Sequence, residues 1–269
     1  MNLKNLIGLG VAGNFAQHLE QAGELKDFEN IKTLEKDAPK GLFPFYLPQS
    51  KSFLGCYSLS STTLTLPSYE ANAQVEPEIA LLCDIIYDAE NKVQDLVITH
   101  FTCFNDCTIR KEGAKKISEK KSWGPNSKGI AELWIPVDQF EEGGVMDHYH
   151  LCSYVRREGV LHPYGVDAPL LGYSYFYTKL KAWMIHTLNT QKDFGPLEDM
   201  GMHLKETEYP DEALISIGAT AYERFGEENY LEAGDEIYVI AYDRRISDGS
   251  LSEAEGKIIL HQAVQEASS

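Results

Sequence analysis

The residues of this chain best arranged for chemistry are two glutamates flanking one proline, in the stretch Val75-Glu76-Pro77-Glu78-Ile79. Pro77 disfavours helical backbone at Glu76. In an extended segment, residues two apart point to one face, so both carboxylates converge on one locus. Like charges ahead of the apolar run 79–83 repel unless a cation lies between them, and a hard divalent ion with oxygen ligands suits the pair. Taken alone, the tripeptide reads more readily as a solvated acidic turn before a strand. Asp106, Thr108 and Arg110 follow, again two apart. Extended, they line one face with a third carboxylate, a hydroxyl and a bidentate anion binder. Lys120, Lys121 and Lys128 come next in a Gly/Pro loop. They read either as a functional basic cluster or as a solvated basic loop.

Extended segments are needed to hold these side chains, and the apolar patterning provides them. Strand-like runs cover 78–87 and 95–104, with further candidates over 150–159, 213–220 and 236–244. The Pro-punctuated region 39–67 reads as extended segments and turns. One long helical pattern runs over 173–190, with Phe176, Leu180, Trp183, Met184 and Leu188 at helical spacings. A short helix is expected over 14–23, with Phe15, His18, Leu19 and Ala22 on one face. Many short strands and few helices predict an α+β, mainly β architecture, a mixed sandwich or barrel-like fold. Gly8, Gly10 and Gly13 spell G-x-G-x-x-G, and Glu35 stands where a ribose ligand would in a dinucleotide-binding unit. The regular strand–helix alternation of such a unit is missing, so a dinucleotide-dependent oxidoreductase stands only as an alternative to a tight strand-to-helix turn.

The 269 residues carry a formal net charge of −17, which argues against a nucleic-acid or anionic-membrane partner and is compatible with a cation site built from carboxylates. No charge-free apolar run approaches the roughly 20 residues that span a bilayer. The N-terminal stretch lacks the marks of a signal peptide. Five cysteines are an odd count, and Cys103 and Cys107 have no matching second pair. Reduced thiols, a cytoplasmic location and no structural zinc are therefore expected.

Six short motifs in this order resemble the fumarylacetoacetate hydrolase (FAH) superfamily. They are GNFAQH at 13–18, EPE at 76–78, DCTIR at 106–110, KSW at 121–123, SIGAT at 216–220 and LEAGDEI at 231–237. The resemblance implies an FAH-like mixed β-sandwich roll with a few peripheral helices. It implies one catalytic domain over 1–269, with 1–70 packed onto the roll, and a homodimer. Glu76, Glu78 and Asp106 would hold one Mg²⁺ or Mn²⁺. His18, Glu20 and Lys121 would be catalytic, and Asn14, Thr108, Arg110 and Thr220 would bind the substrate. The implied activity is a divalent-metal-dependent reaction on a small oxo or enol carboxylic acid, of C–C hydrolase, decarboxylase or tautomerase type. On this resemblance the opening glycines become a coincidence of spacing. Gln21 stands where many relatives carry the glutamate that activates water with the histidine. That change favours decarboxylation or enol–keto isomerisation over hydrolysis. It also motivates an alternative, a degenerate member that binds a metal and a small acid without turnover. Asp235, in the last motif, reads as part of a turn before a strand.

Overall fold

The structure, a computed structural model, describes residues 3–15, 28, 31, 33, 35, 37–111 and 113–267. Its strands in chain order are β1 (Ile7–Ala12), β2 (Gly41–Tyr46), β3 (Leu59–Ser60), β4 (Thr63–Thr65), β5 (Ala73–Gln74), β6 (Pro77–Tyr87), β7 (Val93–Asn105) and β8 (Thr108–Ile109). There follow β9 (Lys128–Ile130), β10 (Ile135–Pro136), β11 (Tyr149–Arg157), β12 (Val160–Pro169), β13 (Glu212–Ser216), β14 (Glu236–Asp243) and β15 (Lys257–Gln265). The helices described are α1 (Ser118–Lys121), α2 (Tyr177–Thr190), α3 (Met200–Glu206) and α4 (Arg224–Glu228). Strand accounts for 39% and helix for 17% of the described residues, as the expected mainly β class requires.

Two sheets carry the fold. The larger runs β2-β1-β13-β6-β7-β9-β3, with β10 also paired to β7, and the smaller runs β12-β11-β14-β15-β4. They pack face to face: Ile79, Leu81 and Cys83 of β6 and Phe101 and Cys103 of β7 share one buried cluster with Leu151, Val155, Val239, Ala241, Ile258 and Leu260. The opposite face of β6 is also covered, since Ala80 and Leu82 join Phe45, Phe104 and Leu214 in a second cluster. A strand buried on both faces is apolar throughout rather than alternating, hence Ile79-Ala80-Leu81-Leu82-Cys83.

Helix α2 begins at Tyr177, four residues later than the helical spacing alone predicts. Tyr173 is held instead in a bridge to Phe15, and its hydroxyl donates to the Gly218 carbonyl at 2.9 Å. The buried side of α2 is Tyr177, Leu180, Met184, Thr187 and Leu188, a 3.6-residue stripe. Strand β12 was not legible from its pattern because it contains Pro163, Gly165 and Pro169. It lies at the edge of its sheet, where a missing backbone donor is tolerated. The helix expected over 14–23 falls largely outside the described residues.

The dinucleotide alternative is corrected here. Gly8 and Gly10 lie inside β1, not in a strand-to-helix turn. A Cβ at Gly8 would stand 2.4 Å from the Phe45 ring, and one at Gly10 2.3 Å from the Phe43 ring. These glycines make room for aromatic packing from β2. Glu35 accepts hydrogen bonds from the Tyr175 hydroxyl at 2.9 Å and the Lys179 ammonium at 2.7 Å, which hold its carboxyl below the ordinary value.

Candidate active site

The acidic residues meet because of strand register. In the β6–β7 pair Pro77 stands opposite Asn105, which places Glu76 opposite Asp106. The Asp106 N–H donates to the Glu76 carbonyl at 2.9 Å, and the Asn105 side chain accepts the Glu76 N–H at 3.2 Å. Glu78, two residues on, shares the face of Glu76. On the other side β13 pairs with β6 and leads into the 216–220 turn. There Gly218 adopts φ +115°, a conformation that strains any residue with a Cβ, and its N–H donates to Glu78 Oε2 at 2.8 Å. Thus the ends of three adjacent strands converge on one spot.

Glu76, Glu78 and Asp106 are all buried, each with an oxygen within 4.8 Å of the others', and form the one such acidic group among the described residues. Oxygens around a hard dication at 2.0–2.6 Å lie no more than about 5.2 Å apart, so number, type and spacing of donors fit that ion. Burial, reinforced by Asp106 and then Glu76, pushes the Glu78 carboxyl well above the ordinary carboxylate range. A cation between these groups would restore its ionised form.

The basic residues are not a solvated loop. Lys121, on α1, is buried and pairs with Glu76 Oε2 and, at 2.7 Å, with Asp106 Oδ2. Its ammonium also lies 5.4 Å from the centre of the Phe43 ring. Arg110 donates to Gln74 Oε1 at 2.5 Å and to the Tyr222 hydroxyl at 3.0 Å, and stands 3.6 Å from Glu76 Oε1. Lys128, in β9, is fully buried with its ammonium 2.9 Å from Asp106 Oδ1 and 2.5 Å from the Cys107 carbonyl. Burial pulls that ammonium below its ordinary value, against the attraction of Asp106.

A narrow cleft reaches the acids. Val11, Ala12, Phe28, Phe43, Ile117 and Ala219 wall it, with Glu76, Glu78, Asp106 and Lys121 at its base. Its free volume is about 20 Å³, room for a water or an ion. A wider groove of about 450 Å³ lies between α2 and the 38–41 segment, away from the acidic cluster.

The other expected residues are distributed unevenly. Asn14 is fully buried; both its amide hydrogens go to backbone carbonyls, of Tyr175 and Ile217, each at 2.9 Å, and its oxygen accepts the Tyr175 N–H at 2.8 Å. It therefore ties three segments together beneath the site. Thr108 is buried in β8 beside the cluster. Thr220 is buried, with its N–H donating to the Pro77 carbonyl at 3.3 Å. His18, Glu20 and Gln21 lie outside the described residues. Asp235 forms a two-pronged pair with Arg157 at 2.8 and 2.7 Å, a structural role consistent with a turn before β14. Gln74 and Tyr222 were not foreseen as site residues, and Lys128 was read as one of a basic group without its burial.

This roll of two packed sheets is similar to the fold of FAH-family proteins. Cg1458, solved with an inhibitor, matches at a TM-score of 0.58 and 16% identity, over 97% of this chain and 77% of its own. A protein from Yersinia pestis CO92 described as of the fumarylacetoacetate hydrolase family matches at 0.55 and 14%, over 96% and 93%. The 5-carboxymethyl-2-hydroxymuconate delta-isomerase of Mycobacterium smegmatis matches at 0.54 and 15%, over 98% and 80%. By sequence the chain belongs to the DUF5718 family, described as a family of unknown function, whose model matches residues 24–261. No curated protein matches the sequence.

Proposed function

We propose that this chain is a divalent-metal-dependent enzyme acting on a small oxo or enol carboxylic acid. The observation that carries the proposal is the buried Glu76–Glu78–Asp106 cluster at the base of an apolar-walled cleft, with Lys121 at its edge. Glu76, Glu78 and Asp106 hold Mg²⁺ or Mn²⁺, which when bound supplies Lewis-acid polarisation of an oxo or enolate oxygen. Lys121 lines the cleft and is placed to neutralise charge that develops on the substrate. Arg110, whose guanidinium is fixed by Gln74 and Tyr222, presents a planar donor set suited to a carboxylate. Asn14 holds the cleft floor in place, and Thr108 and Thr220 stand beside the acids. His18 is the proposed general base, with Glu20 the nearest acidic residue in sequence. Because Gln21 carries no charge to stabilise an imidazolium, decarboxylation or enol–keto isomerisation is proposed ahead of hydrolysis. The fold's occurrence in a muconate-type isomerase is in keeping with this choice. We place the enzyme in the cytoplasm, in keeping with its five unpaired cysteines, as one catalytic unit per chain and two chains per assembly.

Calorimetric titration with Mn²⁺ tests the metal site. Wild type should bind, and Glu78→Ala should lose most of that affinity; equal affinity in the two would refute the assignment. A substrate panel of small oxo acids and diketo acids, run with Mg²⁺, then sorts the reaction class. Good diketo-acid hydrolysis by wild type, with no gain in Gln21→Glu, would overturn the preference against hydrolysis. Among the described residues no helix is long and apolar enough to cross a membrane.

A further inference from the structure

Lys128 is a basic residue of the cluster that lies entirely outside the cleft. Its side chain is wholly inaccessible, and the cleft is lined by Lys121 and the three acids without it. It stands on the far side of Asp106 and is held there from several directions. Its ammonium donates to the Cys107 carbonyl at 2.5 Å and lies 5.6 Å from the centre of the Trp123 ring. Its own N–H donates to the Ser58 carbonyl at 3.0 Å, and β9 is paired to both β3 and β7. Lys121 differs, because it lines the cleft.

We propose that Lys128 is a fixed internal counter-ion that lowers the negative charge of the metal site and so moderates its hold on cations. The inference rests on the metal reading above. Glu76, Glu78 and Asp106 contribute −3, and Lys128, Lys121 and Arg110 stand against them, of which Lys128 alone is wholly sealed from solvent. The same triad without Lys128 would hold a dication more tightly, and a trication more tightly still. Lys128 acts only through Asp106, as a positioning residue. It also spares the metal-free site an unpaired buried carboxylate, so the protein stays folded while the ion exchanges.

The test compares wild type, Lys128→Met and Lys128→Gln for binding of Mn²⁺ by calorimetry and of Tb³⁺ by luminescence. The Gln variant keeps a donor for the Cys107 carbonyl. Both substitutions should tighten Mn²⁺ binding by roughly tenfold or more, tighten Tb³⁺ by a larger factor, and enlarge the rise in melting temperature that Mn²⁺ produces. A purely structural lysine would weaken binding when removed. Wild type that binds Mn²⁺ with variants no tighter would overturn this proposal alone. Absence of binding in all three would overturn the metal reading and this proposal together. If neither single variant folds, the double variant Lys128→Met with Asp106→Asn should fold as wild type does. Failure of that double variant to fold would refute the pairing role.

Discussion

Asn14 joins separate segments through a single buried side chain. Truncation to Ala would leave the Tyr175 N–H and the Tyr175 and Ile217 carbonyls without their partner in the buried floor. Asn14→Ala should therefore cost about 3 kcal/mol of stability, read by urea denaturation. A direct role in substrate binding would instead change the affinity for substrate at constant stability. The carboxylates were legible beforehand because their geometry is local: Pro77 fixes the backbone at Glu76, and a two-residue period puts Glu78 beside it. Asp106 lies 30 residues away from Glu76, and only the β6–β7 register closes that distance. Lys121 and Lys128 were legible as a basic group and not as buried ions, because their burial depends on where α1 and β9 dock.

Among the elements, α1 is too short to hold itself in place and is clamped from outside. Lys116, just before it, donates to the Gly195 and Leu197 carbonyls at 3.0 and 2.7 Å and pairs with Asp193. Ser118, in its first turn, donates to Glu198 Oε1 at 3.0 Å. Burial pushes the Glu198 carboxyl up to about 7, with Asp193 and Glu119 adding to the rise and Ser118 and Lys116 opposing it. His203 stands 3.8 Å from it, but burial holds that imidazole below its usual value and so uncharged at neutral pH. A carboxyl whose folded value exceeds its unfolded one keeps its proton longer in the folded state. Stability from this group is therefore full below about pH 4.5 and falls as pH rises toward 7, by about 3 kcal/mol. Glu198→Gln should flatten that decline, which melting temperatures measured from pH 5 to 8 would show; an unchanged slope would contradict it. Element types were read from periodicity where the pattern was long, as in β6, β7, β14 and α2. They were lost where breakers sit at a tolerant edge, as in β12, and the late start of α2 reflects a tertiary demand on Tyr173.

For the whole molecule, the two-sheet roll follows from residue chemistry, since apolar runs without alternation need cover on both faces. Assembly is less directly encoded. Several of the 15 tyrosines, among them Tyr164, Tyr173 and Tyr222, are buried within the chain and are not available to a partner. Large apolar side chains that remain exposed include Phe53, Tyr69, Leu133, Val160 and Phe194. The proposed homodimer predicts a sedimentation mass near twice 30.2 kDa at micromolar concentration, and a mass near 30.2 kDa would refute it.

Trp123 gives the site a voice of its own. Its indole N–H donates to the Thr65 carbonyl at 2.8 Å, and its ring stands beside the sealed Lys128 ammonium. The chain has three tryptophans, and this one stands against the lysine that pairs with Asp106. Arrival or departure of charge at Asp106 alters the potential along that ring, and excited indole is a strongly dipolar chromophore. The protein thus contains an optical gauge of its acidic cluster, usable without any label.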